Sequence, residues 1–135
     1  MFLLSSHILV VDDMSSVRKR LVRALGEMGY AKVSMAEDGN RALEVIQQSA
    51  DGQKIDLVIS DWNMPVMNGM ELLKAVRAIP EFKNLPFILV NAECEKPQVL
   101  GADHSEVSGF ILKPVDLSSF REKLEAVYQS LKTPD

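Results

Sequence analysis

Surplus positive charge is missing from this chain of 135 residues: 15 lysines and arginines face 19 acidic residues, giving a formal net charge of -4. Nucleic-acid binders neutralise phosphates with excess Lys and Arg, so the balance speaks against DNA as a partner. Cysteine is nearly absent too. The lone Cys94 cannot close an internal disulfide and is expected to be an unreactive thiol, so nothing here demands an oxidising compartment. Long hydrophobic runs are lacking, and none approaches the roughly twenty residues that cross a bilayer. Met1-Phe2-Leu3-Leu4 is apolar, but no basic residue precedes it and Ser5, Ser6 and His7 follow at once, unlike a secretory leader. Glycine and proline, at seven and six residues, are too sparse for a linker-rich chain. What remains is one cytoplasmic globular domain with no membrane insertion.

The apolar residues that are present fall into short continuous runs separated by longer amphipathic stretches. Ile8-Leu9-Val10-Val11, Leu57-Val58-Ile59, Phe87-Ile88-Leu89-Val90 and Phe110-Ile111-Leu112 have the length and continuity of strands covered on both faces. A weaker strand is expected over Lys32 to Ala36. Helical spacing recurs at Val17, Leu21, Leu25 and Met28, at Ala42, Leu43 and Ile46, at Met70, Leu73 and Val76, and at Leu117, Phe120, Leu124, Val127 and Leu131. Residues 96–105, which include Pro97 and Gly101, make only a weak fourth helix in this pattern. Five β-α units predict an α/β fold with a parallel sheet, right-handed crossovers and helices on both faces.

In such sheets, function gathers at the carboxyl ends of the strands. The residues there are Asp12 and Asp13 after strand one, Asp61 after strand three, Asn91 after strand four and Lys113 after strand five. Where strands one and three are neighbours, three carboxylates crowd together, which a bound divalent cation relieves. Oxygen donors alone suit magnesium or a similar hard ion. With Lys113 opposite, the group could stabilise the charge of a transferring phosphoryl group. A haloacid-dehalogenase-type phosphatase needs Asp-x-Asp after the first strand, whereas the run here is Asp12-Asp13-Met14. A flavodoxin needs a hydroxyl- and glycine-rich loop at that point, and no dinucleotide or Walker loop is present.

Val10-Val11-Asp12-Asp13, Ala36-Glu37-Asp38-Gly39, Ser60-Asp61-Trp62-Asn63-Met64-Pro65, Asn68-Gly69, Ala92-Glu93 and Ser108-Gly109-Phe110 leading into Lys113-Pro114 occur in that order along the chain. With these motifs the chain resembles the receiver domain of two-component response regulators, most closely its chemotaxis type. The resemblance implies a flavodoxin-like (βα)5 sandwich with strand order 2-1-3-4-5, a receiver domain over residues 5–131, and a tail over 132–135 with no attached output domain. It implies that Asp61 is the phosphoacceptor, and that Asp12, Asp13, Asp61 and the main-chain carbonyl of Asn63 hold Mg2+. It further implies that Lys113 pairs with Asp61 and then with the phosphoryl oxygens, that Asn63 and Glu93 tune dephosphorylation, and that a cis bond precedes Pro114. Asn91 and Phe110 take the switch positions, where the family usually has a hydroxyl residue and often a tyrosine. Asn91 could contact the phosphoryl group or merely cap a loop.

The implied partners are a sensor histidine kinase or phosphotransfer protein upstream and a downstream protein such as a flagellar motor switch. The chain itself is expected to be a monomer that turns over no external substrate. The departures at Asn91 and Phe110, with the weak fourth helix, leave a second reading: a receiver with impaired output that serves as a phosphate sink or docking module. Trp62 is expected to be a partly exposed loop aromatic, Arg18-Lys19-Arg20 a solvated helix face, and His7 and His104 surface or capping residues.

Overall fold

The computed structural model describes residues 2–92, 107–113 and 116–132. Its elements run β1 (His7–Val11), α1 (Ser15–Glu27), β2 (Lys32–Ala36), α2 (Gly39–Ser49), β3 (Leu57–Asp61), α3 (Gly69–Arg77), a 3-10 turn (Pro80–Phe82), β4 (Phe87–Ala92), β5 (Gly109–Lys113) and α4 (Leu117–Lys132). The weak helix expected over 96–105 lies outside the described residues, as do Glu93, Cys94, His104 and Pro114.

All strand pairs are parallel, and the order is β2-β1-β3-β4-β5, as the sequence led one to expect. The continuous apolar runs feed two cores because successive side chains of a strand point to opposite faces. Leu9, Val11, Val58, Phe87 and Leu89 face one layer, where they pack with Ala42 and Ile46 of α2 and Leu72, Leu73 and Val76 of α3. Ile8, Val10, Leu57, Ile59, Ile88, Val90 and Ile111 face the other, with Leu21 and Leu25 of α1 and Phe120, Leu124 and Val127 of α4. Among the described residues no helix is long and apolar enough to cross a membrane.

The apolar opening of the chain has a packing role. Phe2 is buried, its ring meets Tyr128 of α4 edge-on with centroids 5.3 Å apart, and its carbonyl accepts the Tyr30 hydroxyl at 2.8 Å. Burial of that hydroxyl, reinforced by the charge of Glu125, raises the Tyr30 pKa. His7 is half-buried at the amino end of β1. Its Nδ1 bonds the Gln53 carbonyl at 2.8 Å and its Nε2 the Ser34 hydroxyl at 2.7 Å, which ties β1 to β2 and to the segment before β3.

Local chemistry sets the helix starts nearest the carboxyl ends of the strands. Asp38 accepts the Arg41 N–H at 2.7 Å and caps α2. Asn68 and Glu71 form a reciprocal capping box on α3, each side chain accepting the other's backbone N–H, at 2.8 and 2.9 Å. Asp116 accepts the Ser119 N–H at 2.8 Å ahead of α4, and that bond holds its carboxyl below the usual range. No side chain of Met14 caps α1; instead Asp12 accepts the Met14 N–H at 2.9 Å.

Candidate functional site

β3 and β5 end in Asp61 and Lys113, and Asp12 follows directly on β1, so the parallel register brings three charged residues together at the carboxyl end of the sheet. The Lys113 ammonium lies 3.0 Å from Asp61 Oδ1 and 3.6 Å from Asp12 Oδ2. The first is a charge-assisted hydrogen bond and the second an ion pair too long to be one. Asp12 Oδ2 accordingly has no hydrogen-bond partner among the described residues, although the Asp12 side chain is almost wholly buried. Asp13 is exposed, and one oxygen from each of Asp12, Asp13 and Asp61 lies within 4.8 Å of the others.

Removal from water dominates the electrostatics. Burial pushes the Asp61 carboxyl up to about 6; the Lys113 hydrogen bond works against this, and the neighbouring Asp12 charge adds to it. Asp12 is raised by burial as well, opposed by the Met14 N–H and the Lys113 charge. For Lys113 burial acts downward, but the bond to Asp61 and the charges of Asp61 and Asp12 outweigh it and leave the ammonium above its ordinary value. Two buried carboxylates therefore share one cation. The orphaned Asp12 oxygen, the hard oxygen donors and the exposed third carboxylate fit a divalent ion such as magnesium, and the cluster fits a phosphorylation site.

The loop after β3 is held tightly. Trp62 donates its N–H to the Val90 carbonyl, and Gly69 donates to the Trp62 carbonyl, both at 2.8 Å. A Cβ on Gly69 would stand 2.5 Å from the Asp61 carbonyl oxygen and 3.0 Å from Trp62 Cα, so only glycine lets α3 start directly against the end of β3. Between them, Met67 donates to the Pro65 carbonyl at 2.7 Å across Val66, whose φ is 69° and whose side chain is 87% exposed. This is a γ-turn with a β-branched residue in the left-handed region, a strained combination.

Asp12, Asp13, Asp61 and Lys113 are thus brought together. Asn63 sits exposed on the loop after β3, and Phe110 is half-buried on β5. The backbone of Asn91 pairs with Leu112 beside the site; its side chain, like Glu93, lies outside the described residues. Two expectations need correction. Trp62 is only 6% exposed, because its indole stacks on Phe110 with ring centroids 6.3 Å apart and 28° between planes. Arg18 does not belong to a solvated face: its guanidinium donates to the Asp12 main-chain carbonyl at 2.6 Å. The signal that reveals it is its place one turn into α1, since helical side chains lean back toward the N-terminus and a long one reaches the preceding loop.

Residues 8–125 match the response regulator receiver domain family. The chemotaxis protein CheY-3 of Vibrio cholerae serotype O1 is 36% identical over 124 residues, covering 92% of this chain and 92% of that protein. The chemotaxis protein CheY of Pseudomonas aeruginosa is 35% identical over 122 residues, covering 90% and 95%. The solved structure of the chemotaxis response regulator CheY4 of Vibrio cholerae superposes with a TM-score of 0.78 at 31% identity, over 91% of this chain and 98% of that one. Sequence, sheet order and the lysine-bridged acidic cluster agree, and the chain belongs to the response regulator receiver family.

Proposed function

We propose that this chain is a single-domain, cytoplasmic, chemotaxis-type response regulator that accepts a phosphoryl group on Asp61 from the phosphohistidine of a sensor kinase or phosphotransfer protein. The observation that carries this reading is the Lys113 ammonium 3.0 Å from a buried Asp61 carboxylate, beside the orphaned oxygen of Asp12 and the exposed Asp13. Asp12, Asp13, Asp61 and the Asn63 carbonyl are the residues that would hold Mg2+. A magnesium ion bound there supplies positive charge toward the oxygens of the phosphoryl group.

The Asp61 carboxylate attacks phosphorus; the new O–P bond forms as the donor N–P bond breaks, and the imidazole leaves with the electron pair. Lys113 neutralises the resting carboxylate and then follows the charge outward to the phosphoryl oxygens. Water later attacks the acyl phosphate, releasing inorganic phosphate and restoring Asp61, at a rate that the family resemblance assigns to Asn63 and Glu93. The outcome is a transient change in charge at one end of the sheet that protein partners read, with Asn91 and Phe110 at the switch positions.

The test is labelling of the chain by acetyl phosphate in the presence and absence of magnesium. Labelling that requires magnesium and disappears in Asp61→Asn is the expected result. Labelling without the ion, or equally in the variant, refutes the assignment.

A further inference from the structure

Asp12 is gripped at three points. Its Oδ1 accepts the Met14 N–H at 2.9 Å, its Oδ2 faces Lys113 at 3.6 Å, and its main-chain carbonyl accepts Arg18 Nη1 at 2.6 Å. The last contact is the unusual one, because it fixes a peptide rather than a carboxylate. The carbonyl of Asp12 and the N–H of Asp13 share one rigid plane, so holding the first sets the direction in which the Asp13 Cα, and with it the exposed carboxylate, leaves the strand. Asp12 also donates its own N–H to the Ala36 carbonyl at 3.2 Å, which leaves the Asp12–Asp13 peptide as the next link to be fixed.

We infer that Arg18 is a positioning residue for the metal site: by holding the Asp12 carbonyl it aims Asp13 at the ion that Asp12 and Asp61 also face. The inference rests on the receiver reading and adds to it a residue outside the acidic cluster. It also carries a sign that separates it from simple electrostatics. Arg18 is a cation near a cation site, so its charge alone opposes magnesium, and deleting it should tighten binding. If its hydrogen bond is what matters, deletion loosens binding instead, as happens when the outer partners of metal ligands are removed.

The experiment is calorimetric titration of the full chain with Mg2+ for wild type, Arg18→Ala, Arg18→Lys and Arg23→Ala, with a thermal melt of each. Arg23 is an exposed residue of the same helix, paired with Glu27 at 3.6 Å, and its loss removes the same charge without touching Asp12. The expected result is magnesium binding weakened roughly tenfold in Arg18→Ala, partly restored in Arg18→Lys, and unchanged within about twofold in Arg23→Ala. Should Arg18→Ala fail to fold, Arg18→Lys alone decides, because lysine keeps the charge but lacks the planar fork, and binding still weakens. Unchanged or tighter binding in the Arg18 variants overturns the inference, as does equal weakening in Arg23→Ala. Wild-type chain that binds no magnesium and takes no label from acetyl phosphate overturns the receiver reading itself, a result distinct from normal wild-type labelling with indifferent Arg18 variants.

Discussion

Replacing Asp61 by Asn removes one negative charge from a place that disfavours it, and the consequence should be readable in the pH dependence of stability. Burial holds the Asp61 carboxyl at about 6 in the folded protein, against 3.8 for an ordinary solvent-exposed aspartate. Between those values the folded chain binds more protons than the unfolded one, so stability falls as pH rises through the window. The separation of roughly two units corresponds to about 3 kcal/mol in full, fully retained below the lower value and fully lost above the upper. About 2 kcal/mol of it falls between pH 4.5 and 7.5. Urea unfolding of wild type and Asp61→Asn across that range, in the absence of divalent ions, measures it: the variant should gain on wild type by about 2 kcal/mol as pH rises. Magnesium should reverse the advantage, since an ion at about 100 times its dissociation constant stabilises wild type by about 2.7 kcal/mol and the variant by much less. A difference between the two proteins that stays flat within about 0.5 kcal/mol, or slopes the other way, would refute the claim that Asp61 is held protonation-prone by burial.

Lys113→Met leaves Asp61 and Asp12 without their cation; unfolding at neutral pH should show a loss on the order of 3 kcal/mol that shrinks as pH falls and Asp61, already raised to about 6 with the lysine present, takes up its proton, and a pH-independent loss would contradict the pairing. Gly69→Ala forces a methyl within 2.5 Å of the Asp61 carbonyl, so stability should drop by about 1–3 kcal/mol and acetyl-phosphate labelling should slow in parallel. Val66→Asn places a residue that tolerates positive φ in the γ-turn; thermal melts should show a gain of about 1 kcal/mol, and any loss would argue that the valine turn is unstrained.

Strands β1, β3 and β4 were legible because burial on both faces leaves an uninterrupted apolar run, and the polar residue ending each run marked the site. Asp12, Asp13, Asp61 and Lys113 could be found this way since their roles depend on strand ends, which topology alone aligns. Trp62 was misread because its burial depends on Phe110, a residue remote in sequence, and no local spacing announces a stack between them. Arg18 hid in a run of like charges: the sequence shows three consecutive cations, while geometry distinguishes the one that turns back over the preceding loop. Phe2 was read for what it excluded, a leader, and its fit against Tyr128 became visible only once the first strand and the last helix were in place.

In the order β2-β1-β3-β4-β5, Lys113 lies two strands from Asp61, so its side chain bridges over β4, a gap of about 9.5 Å between strand axes. The ion pair is thus a clasp from the middle of the sheet to its rim, where β5 is hydrogen-bonded on one side only. An edge strand tethered in this way makes the sheet a lever: under the proposed phosphorylation, added charge at Asp61 changes the pull on β5, which only β4 holds on its other flank.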